Sequence, residues 1–524
     1  MNLIKLPTVV SEKRSAGRAG FFLFLIMAFG FAVRIFHLGH KELWCDEVSS
    51  VTLARNAYNI FSALSYKPLY FLFLKFWIYF FGMAEFAVRL PSVIFGTATI
   101  FVIYKLGQEI SGRKAGLIAA FLLSISCFHI YQSQQARHFT LMVLLICLSY
   151  LCFIRALKGK DAVLNRWLNG GVNVLLVFMH PYALAGVLVQ PFFVYGFLER
   201  KVKLEWVRVH IVMAVAVALW LLFSEKGEMY YNTLWITGPG WEAIPEVFQT
   251  FSYGGLRYGL WDYKVIFGSL LPVNILFLLY CFFLVRGVNF GLRMRDRSRL
   301  MILMLGWLLL PMAGALLVSI VRPVFLVKHL IISLPAFCLI VALGIASLRS
   351  FQSIMFLLSI VFLLNIYPLM NIYAQDAHIH WRENVLFLKD NIREGDAVVV
   401  STGTDLLPFL YYFGDTPGKA LYGYDKYFYC RKSDGTCSPF IYETSHLIIG
   451  IPHDMGQGPE AIRRIARERL DALMSRKPMV IWLMAGRWTG QSREQDFAAY
   501  LGRSYRLVFK KAGSGVTTYK FEKI

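Results

Sequence analysis

The sequence predicts a polytopic α-helical membrane protein of about eleven spans followed by a C-terminal soluble α/β domain. Three observations predict it. Of 524 residues, 57% are hydrophobic and 16% charged, where a soluble chain carries about a quarter charged; mean hydropathy is +0.54. Up to about residue 370, apolar stretches long enough to cross a bilayer alternate with short charged loops. Beyond that point the composition becomes that of a soluble domain.

The first apolar run, 19–38, follows a basic stretch with Lys5, Lys13, Arg14 and Arg18. It is too long for a signal-peptide core and has no small-residue cleavage site, so it reads as a retained first span. Further spans are read at 88–107, 115–132, 138–156, 168–179, 181–198, 207–224, 266–286, 300–320, 330–347 and 352–370. The region 168–198 also reads as one bent helix pair around His180-Pro181. The run LYFLFLKFWIYFFG, 69–82, is too short to cross with comfort and is read as a re-entrant or interfacial helix.

Loop charge orders these spans. With the N-terminus in the cytoplasm, the inside loops hold Arg113-Lys114; Lys158, Lys160 and Arg166; Arg200, Lys201 and Lys203; and Arg293, Arg295, Arg297 and Arg299. An odd number of spans then places the C-terminal domain outside. The outer loops 39–87 and 225–265 are long, and long outer loops on a helical bundle are where function concentrates. The membrane domain is read as 1–370, with the outer loop 39–87 carrying the candidate acid, and the extracytoplasmic domain as 371–524. In that domain DAVVV, HLIIGI and PMVIWLM read as buried strands and EAIRRIARERLDALMSR as an amphipathic helix. No internal repeat is visible.

Net charge is +22 and the isoelectric point about 9.6. The basic residues sit mostly in short loops between spans, where they set topology, so nucleic acid is not an expected partner. Of eight cysteines, Cys430 and Cys437 flank the polar turn CRKSDGTC, and a local disulfide there suits an oxidising compartment. Two free thiols are the other reading.

Five motifs carry candidate chemistry. Asp46 and Glu47 follow the first span, where carboxylates beside apolar surface cost desolvation energy without a partner or a task. Such a carboxylate can act as a general base or hold a divalent cation; a helix N-cap at Asp46 is the alternative. Lys67, held extended by Pro68, can bind a phosphate or simply snorkel at the interface. Arg137, beside Gln134 and Gln135, needs an anion or carbonyl partner. His180 lies between two apolar stretches and can donate to a substrate or sit satisfied in the core. Arg322, Lys328 and His329 suit a polyprenyl-phosphate head group, or anchor the interface. The loop-charge topology puts all five on the outer face. Acids and cations converging beside a bilayer suit a reaction between a lipid-linked phosphate ester and a polar acceptor.

As a set these motifs are recognisable. WCDE (44–47), KPLYF (67–71), RLPSVIFG (89–96), QARHF (135–139) and KHLIISLPA (328–336), in this order, resemble the membrane glycosyltransferases that use polyprenyl-phosphate sugars. The group most similar is the protein mannosyltransferase-like glycosyltransferase family 39, which includes the lipid A aminoarabinose transferase. The resemblance covers about residues 20–370. It implies a GT-C fold, Asp46 as catalytic acidic residue with Glu47 its neighbour, and Lys67 near the lipid phosphate. It also implies that Arg137 faces the same cavity and that Lys328-His329 takes the place of an Arg-Tyr pair. The chemistry implied is single displacement with inversion at the sugar carbon. Two departures stand: His-Pro-Pro is absent, and KHL replaces the commoner RYL. No cofactor is required, and a divalent cation is compatible with the acid pair. The expected partners are a polyprenyl-phosphate sugar donor, a lipid, glycan or protein acceptor, and membrane lipids. The expected place is the plasma (inner) membrane, with the active site and C-terminal domain periplasmic. A transporter or flippase of lipid-linked sugars is the main alternative. It would use the same cationic cavity without a base, yet should carry mid-membrane charges and repeats. A polysaccharide polymerase or ligase, or a sensor, ranks below it.

Overall fold

A computed structural model describes residues 13–56, 68–223, 236, 238–254, 271–374, 380–400, 403–414, 441–443, 447–450, 459–486, 491–513 and 515–524. Two compact units emerge. One comprises Met1–Leu38, Asn59–Glu225 and Ile236–Gln375; the other comprises Gly39–Tyr58, Lys226–Trp235 and Asp376–Ile524.

In chain order the helices of the first half are α1 (Lys13–Ile35), α2 (Cys45–Asn56, in the second unit), α3 (Pro68–Phe81), α4 (Glu85–Ser111), α5 (Arg113–Ile125), α6 (Cys127–Ser133), α7 (Phe139–Leu157), α8 (Ala162–Val177), α9 (Pro181–Phe197) and α10 (Arg200–Phe223). Then come α11 (Ala243–Tyr253), α12 (Leu271–Arg293), α13 (Arg295–Val321), a 3-10 turn over Val327–Ser333, α14 (Leu334–Ala346) and α15 (Phe351–Ala374). Among the described residues, eight helices are long and apolar enough to cross a membrane, and α5 with α6, bent by 61°, makes a ninth. The protein is a multi-pass membrane protein. The predicted spans 168–179 and 181–198 are helices α8 and α9, of 16 and 17 residues. At 1.5 Å per residue they reach about 25 Å, short of a hydrocarbon core of about 30 Å. They form an antiparallel hairpin, because Gln190 on α9 accepts from Asn169 and Asn173 on α8, at 2.9 and 3.0 Å.

The basic loops gather at one end of this unit. Arg155, Lys158 and Lys160 surround Glu109 at 3.3, 3.3 and 2.8 Å. Arg297 donates to Ser111 Oγ at 2.8 Å, and Lys114 to the carbonyls of Ala346 and Leu348 at 2.9 Å. Helix α3 does not travel to that end. Trp77 donates to the Ala87 carbonyl at 2.8 Å and Phe73 packs on Phe95, so α3 lies antiparallel to the first part of α4 only. Its start lies beside the α8–α9 turn, where the Leu69 N–H meets the Phe178 carbonyl.

Three devices hold the bundle. Arg34, fully buried near the end of α1, fills the break between α5 and α6. Its guanidinium donates to the carbonyls of Gly30, Ser124 and Leu123 (2.8, 3.0 and 3.0 Å) and to His129 Nδ1 (2.9 Å). The carbonyls that lose their helical partners at the bend are thereby satisfied, as low-dielectric surroundings demand. Ser149, Asn169, Asn173 and Gln190, all fully buried, form a closed side-chain hydrogen-bond network joining α7, α8 and α9. Gly107 and Gly116 let α4 and α5 touch: a Cβ on Gly107 would stand 2.6 Å from the Gly116 Cα. Small residues at such contacts are what brings membrane helices close.

The second unit is built on a six-stranded sheet of order β2-β3-β1-β4-β6-β5. Its strands are β1 (Ala397–Val400), β2 (Ile441–Glu443), β3 (Leu447–Gly450), β4 (Val480–Gly486), β5 (Tyr505–Ala512) and β6 (Val516–Lys523). The three segments expected as buried strands are the parallel centre β3-β1-β4. Helices α16 (Trp381–Asn391), α17 (Gly403–Phe413), α18 (Pro459–Ser475) and α19 (Gln491–Leu501) cover it. Alternation sends Val398, Val400, Trp482 and Met484 to one face with Phe409 and Leu410. Ala397, Val399, Ile481 and Leu483 face the other way, against Leu470 and Leu501. Burial on both faces explains why β1 reads as an uninterrupted apolar run. Edge strand β5 is mostly exposed and carries Lys510 and Lys511, charges that discourage edge pairing.

Candidate active site

The sequence-predicted residues fall into both units. In the second unit, Trp44 stands at the N-cap position of α2, so Asp46 and Glu47 lie within its first turn rather than ahead of it. The Glu47 and Val48 N–H groups donate to the Trp44 carbonyl at 2.9 and 3.0 Å. Glu47 reaches back, and its carboxylate accepts from the Trp44 N–H at 3.3 Å. This is the return half of a capping box. Capping, a role read for Asp46 in the sequence, therefore falls to Glu47, which is fully buried. Asp46 is half-buried, and its backbone carbonyl accepts from Ser50 Oγ at 2.9 Å. Both acids benefit from the positive end of the helix dipole.

The stretch before α2 is anchored to the C-terminal residues of the same unit. Glu42 accepts from the Arg382 N–H at 2.8 Å, and the Leu43 N–H donates to Tyr412 Oη at 2.8 Å. Burial raises the Glu42 carboxyl above its ordinary range, opposed by the Arg382 N–H and by the nearby charges of Arg382 and His380.

In the first unit, the end opposite the basic loops is braced by the family-like motifs. In RLPSVIFG, buried Arg89 donates to the Leu38 carbonyl at 3.0 Å, and Ser92 Oγ to the Gln135 carbonyl at 2.6 Å. Gln134 Nε2 donates to the carbonyls of Arg34 and Phe36. The Arg137 N–H returns to the Gln135 carbonyl at 2.8 Å, closing a tight turn at the head of α7. Gln135 is buried; Arg137 is half-buried, its guanidinium lying over Phe139.

Three imidazoles meet at this end. His138 and His180 stack face to face, with centroids 4.8 Å apart and planes at 6°. His329 packs against His180 at 4.6 Å and against Tyr182 at 4.9 Å. His180 caps α9: its Nδ1 accepts from the Tyr182 N–H at 3.2 Å, which leaves Nε2 as the donor nitrogen. Tyr182 Oη in turn donates to the Val324 carbonyl. The 3-10 turn bearing Lys328 and His329 is pinned from below. Trp307 Nε1 donates to the Ile332 carbonyl at 2.8 Å, and Ser333 Oγ donates to the Trp307 carbonyl at 3.1 Å. Lys328 is half-buried, and Arg322 is the half-buried cap residue at the end of α13. Ser319 Oγ accepts from the N–H groups of Val324 and Phe325, fixing the chain between them. Of loop 225–265, α11 ends at Gly254 (φ 99°), whose missing Cβ admits Cys127 at the head of α6.

Thus His180 and His329 are brought together with His138, His180 lying between the other two, and Arg137 stands beside His138 with its guanidinium over Phe139. His138 lies inside the QARHF motif, yet sequence reasoning passes over it because only its stacking partners mark it out. Lys67, Cys430 and Cys437 lie outside the described residues. Among the described residues, no group of three or more His, Cys, Asp or Glu side chains is arranged to hold a metal ion; His138 and His180 stack, and His329 lies tilted at 50° to His180.

Residues 65–224 match the family model described as dolichyl-phosphate-mannose-protein mannosyltransferase. No curated protein matches the sequence significantly. Among solved structures, ArnT from Cupriavidus metallidurans bound to undecaprenyl phosphate is 10% identical, with 97% of this chain and 98% of that one covered and a TM-score of 0.61. The archaeal oligosaccharyltransferase AglB from Archaeoglobus fulgidus, in complex with an inhibitory peptide and a dolichol-phosphate, is 11% identical, with 97% and 74% covered and a TM-score of 0.53. At such identities the likeness is one of fold. The resemblance read from the motifs holds: over residues 65–224 the chain is similar to the dolichyl-phosphate-mannose-protein mannosyltransferases, and along almost its whole length it has the fold of ArnT.

Proposed function

We propose that the protein is a glycosyltransferase that moves a sugar from a polyprenyl-phosphate-linked donor to a lipid, glycan or protein acceptor at the extracytoplasmic face of the inner membrane. The observation that carries this reading is the family match over residues 65–224, which spans the positions of Lys67, Arg137 and His180. The fold shared with ArnT, a protein solved with undecaprenyl phosphate, supports it.

In this mechanism Asp46 takes the proton from an acceptor hydroxyl or amine. The freed lone pair attacks the anomeric carbon, the bond from that carbon to the phosphate oxygen breaks, and the electron pair leaves with the polyprenyl phosphate. One displacement inverts the configuration. Lys67, Arg137, Arg322 and Lys328 offset the charge growing on the leaving phosphate, and His329, His180 and Gln135 offer further hydrogen-bonding groups to the donor. Glu47 holds the first turn of α2, and so the position of Asp46. The scheme needs no cofactor and is compatible with a divalent cation at the acid pair.

Mass spectrometry of cell-envelope lipids and glycans, with and without the gene, tests the activity and names the sugar. Asp46→Asn should remove the product while the protein stays folded and inserted; product at the parental level would remove the base assignment. Lys67→Ala and Arg137→Ala should each weaken undecaprenyl phosphate binding by purified protein. Unchanged affinity in both would overturn the phosphate site. For orientation, cysteines placed at Lys160 and Ser475 should label from opposite sides of the membrane.

A further inference from the structure

The C-terminal residues of this chain do more than follow the membrane bundle. The short strap ahead of α2 completes their structure. His380, at the N-cap position of α16, makes no side-chain capping bond. Glu42 makes it instead, accepting from the Arg382 N–H at 2.8 Å, with its side chain buried. The Arg382 guanidinium reaches back to the His40 carbonyl. One residue on, the Leu43 N–H donates to Tyr412 Oη on α17, and Leu43 is 1% exposed. Helices α16 and α17 are themselves locked to the sheet by Trp381, Val385, Leu388, Phe409 and Leu410. The strap is thus held at two consecutive residues by a packed α/β core.

The next residue is Trp44, whose carbonyl accepts the first two N–H groups of the α2 ladder and whose own N–H is held by Glu47. A shift of Leu43 and Trp44 therefore turns the helical turn that carries Asp46. We propose that the C-terminal domain is the positioning frame for the catalytic acid, with Glu42 and Tyr412 as positioning residues. The proposal rests on the reading of Asp46 as the base. It assigns a task to residues remote in sequence from the membrane motifs: Glu42 and Arg382 are 340 positions apart. It also explains why Gly39–Tyr58 clusters with Asp376–Ile524 rather than with the span it follows.

The test uses the full-length protein with three substitutions: Glu42→Ala, which removes the cap; Glu42→Gln, which keeps an acceptor oxygen; and Tyr412→Phe, which removes the acceptor for the Leu43 N–H. Three quantities are measured: backbone hydrogen exchange over residues 43–48, affinity for undecaprenyl phosphate, and envelope product. Glu42→Ala and Tyr412→Phe should each raise exchange over 43–48 by about tenfold, the scale of one lost hydrogen bond. Product should fall by a similar factor with undecaprenyl phosphate affinity unchanged, and Glu42→Gln should restore both exchange and product. A merely structural role would lower product and lipid affinity together, or leave Glu42→Gln as poor as Glu42→Ala, and either result overturns the proposal. Unchanged exchange in both disruptive variants, with Asp46→Asn inactive, overturns the positioning role alone. Altered exchange with Asp46→Asn fully active overturns the base assignment, and the positioning role with it.

Discussion

Glutamine and alanine at position 47, set beside asparagine at position 46, separate chemistry from capping. Glu47 is fully buried and its carboxylate holds the Trp44 N–H at 3.3 Å. A glutamine there keeps an acceptor oxygen in the geometry a capping box uses. Glu47→Gln should therefore lose less than about 1 kcal/mol of stability and keep transfer within about threefold of the parent. Glu47→Ala removes the cap and its packing, a loss of about 0.5–2 kcal/mol, and lets the first turn of α2 fray, so product should fall by roughly tenfold. Asp46→Asn changes a half-buried carboxylate to an amide of the same shape. Stability should fall by no more than about 1 kcal/mol, the scale of the lost helix-dipole interaction, while transfer drops by about 10²–10⁴, the range for a lost general base, or about 3–5 kcal/mol in the barrier. The assay is envelope product by mass spectrometry, paired with thermal unfolding of the purified protein in detergent. The reasoning is refuted if Glu47→Gln is as inactive as Asp46→Asn with unchanged unfolding, because the charge of Glu47 would then be required.

Other predictions follow from the same contacts. Asn173→Leu breaks the network around Gln190 and Ser149, leaving buried polar groups unpaired, and should cost about 1–3 kcal/mol in detergent unfolding; Ser149→Ala should cost less than Asn173→Leu. Gly107→Leu meets the α5 backbone and should abolish a folded, monodisperse protein, whereas Gly171→Leu, facing open space, should be tolerated. The raised Glu42 carboxyl makes the folded protein hold a proton to higher pH than the unfolded chain does. Its contribution to stability is then greatest below the ordinary carboxylate range and declines as pH rises through the folded value. Glu42→Gln should flatten the pH dependence of unfolding from the ordinary carboxylate range upward; an unchanged slope would remove that assignment.

Much of the fold was legible because hydrophobic length and loop charge are local sums. The basic loops assigned to one side by charge alone do meet at one end, through Glu109, Ser111 and the Ala346 carbonyl. The run 69–82 resisted counting as a span for a sound reason: α3 lies along only part of α4. Two things stayed hidden. Nothing local in the sequence marks Arg34, because the carbonyls it satisfies belong to residues 123 and 124. Nothing local marks Glu42 either, because the helix it caps begins near residue 381.

The sequence by itself determined that this chain crosses a membrane many times, ends in an α/β unit, and carries an acid pair and scattered cations in a recognisable order. Those properties depend on composition and spacing over contiguous residues, where transfer free energy accumulates along the chain. The tertiary structure decided which acid is spent on capping, which imidazoles stack, and what holds the strap before α2. Each of those depends on partners distant in sequence, and a hydrogen bond or ring contact leaves no periodic trace along the chain.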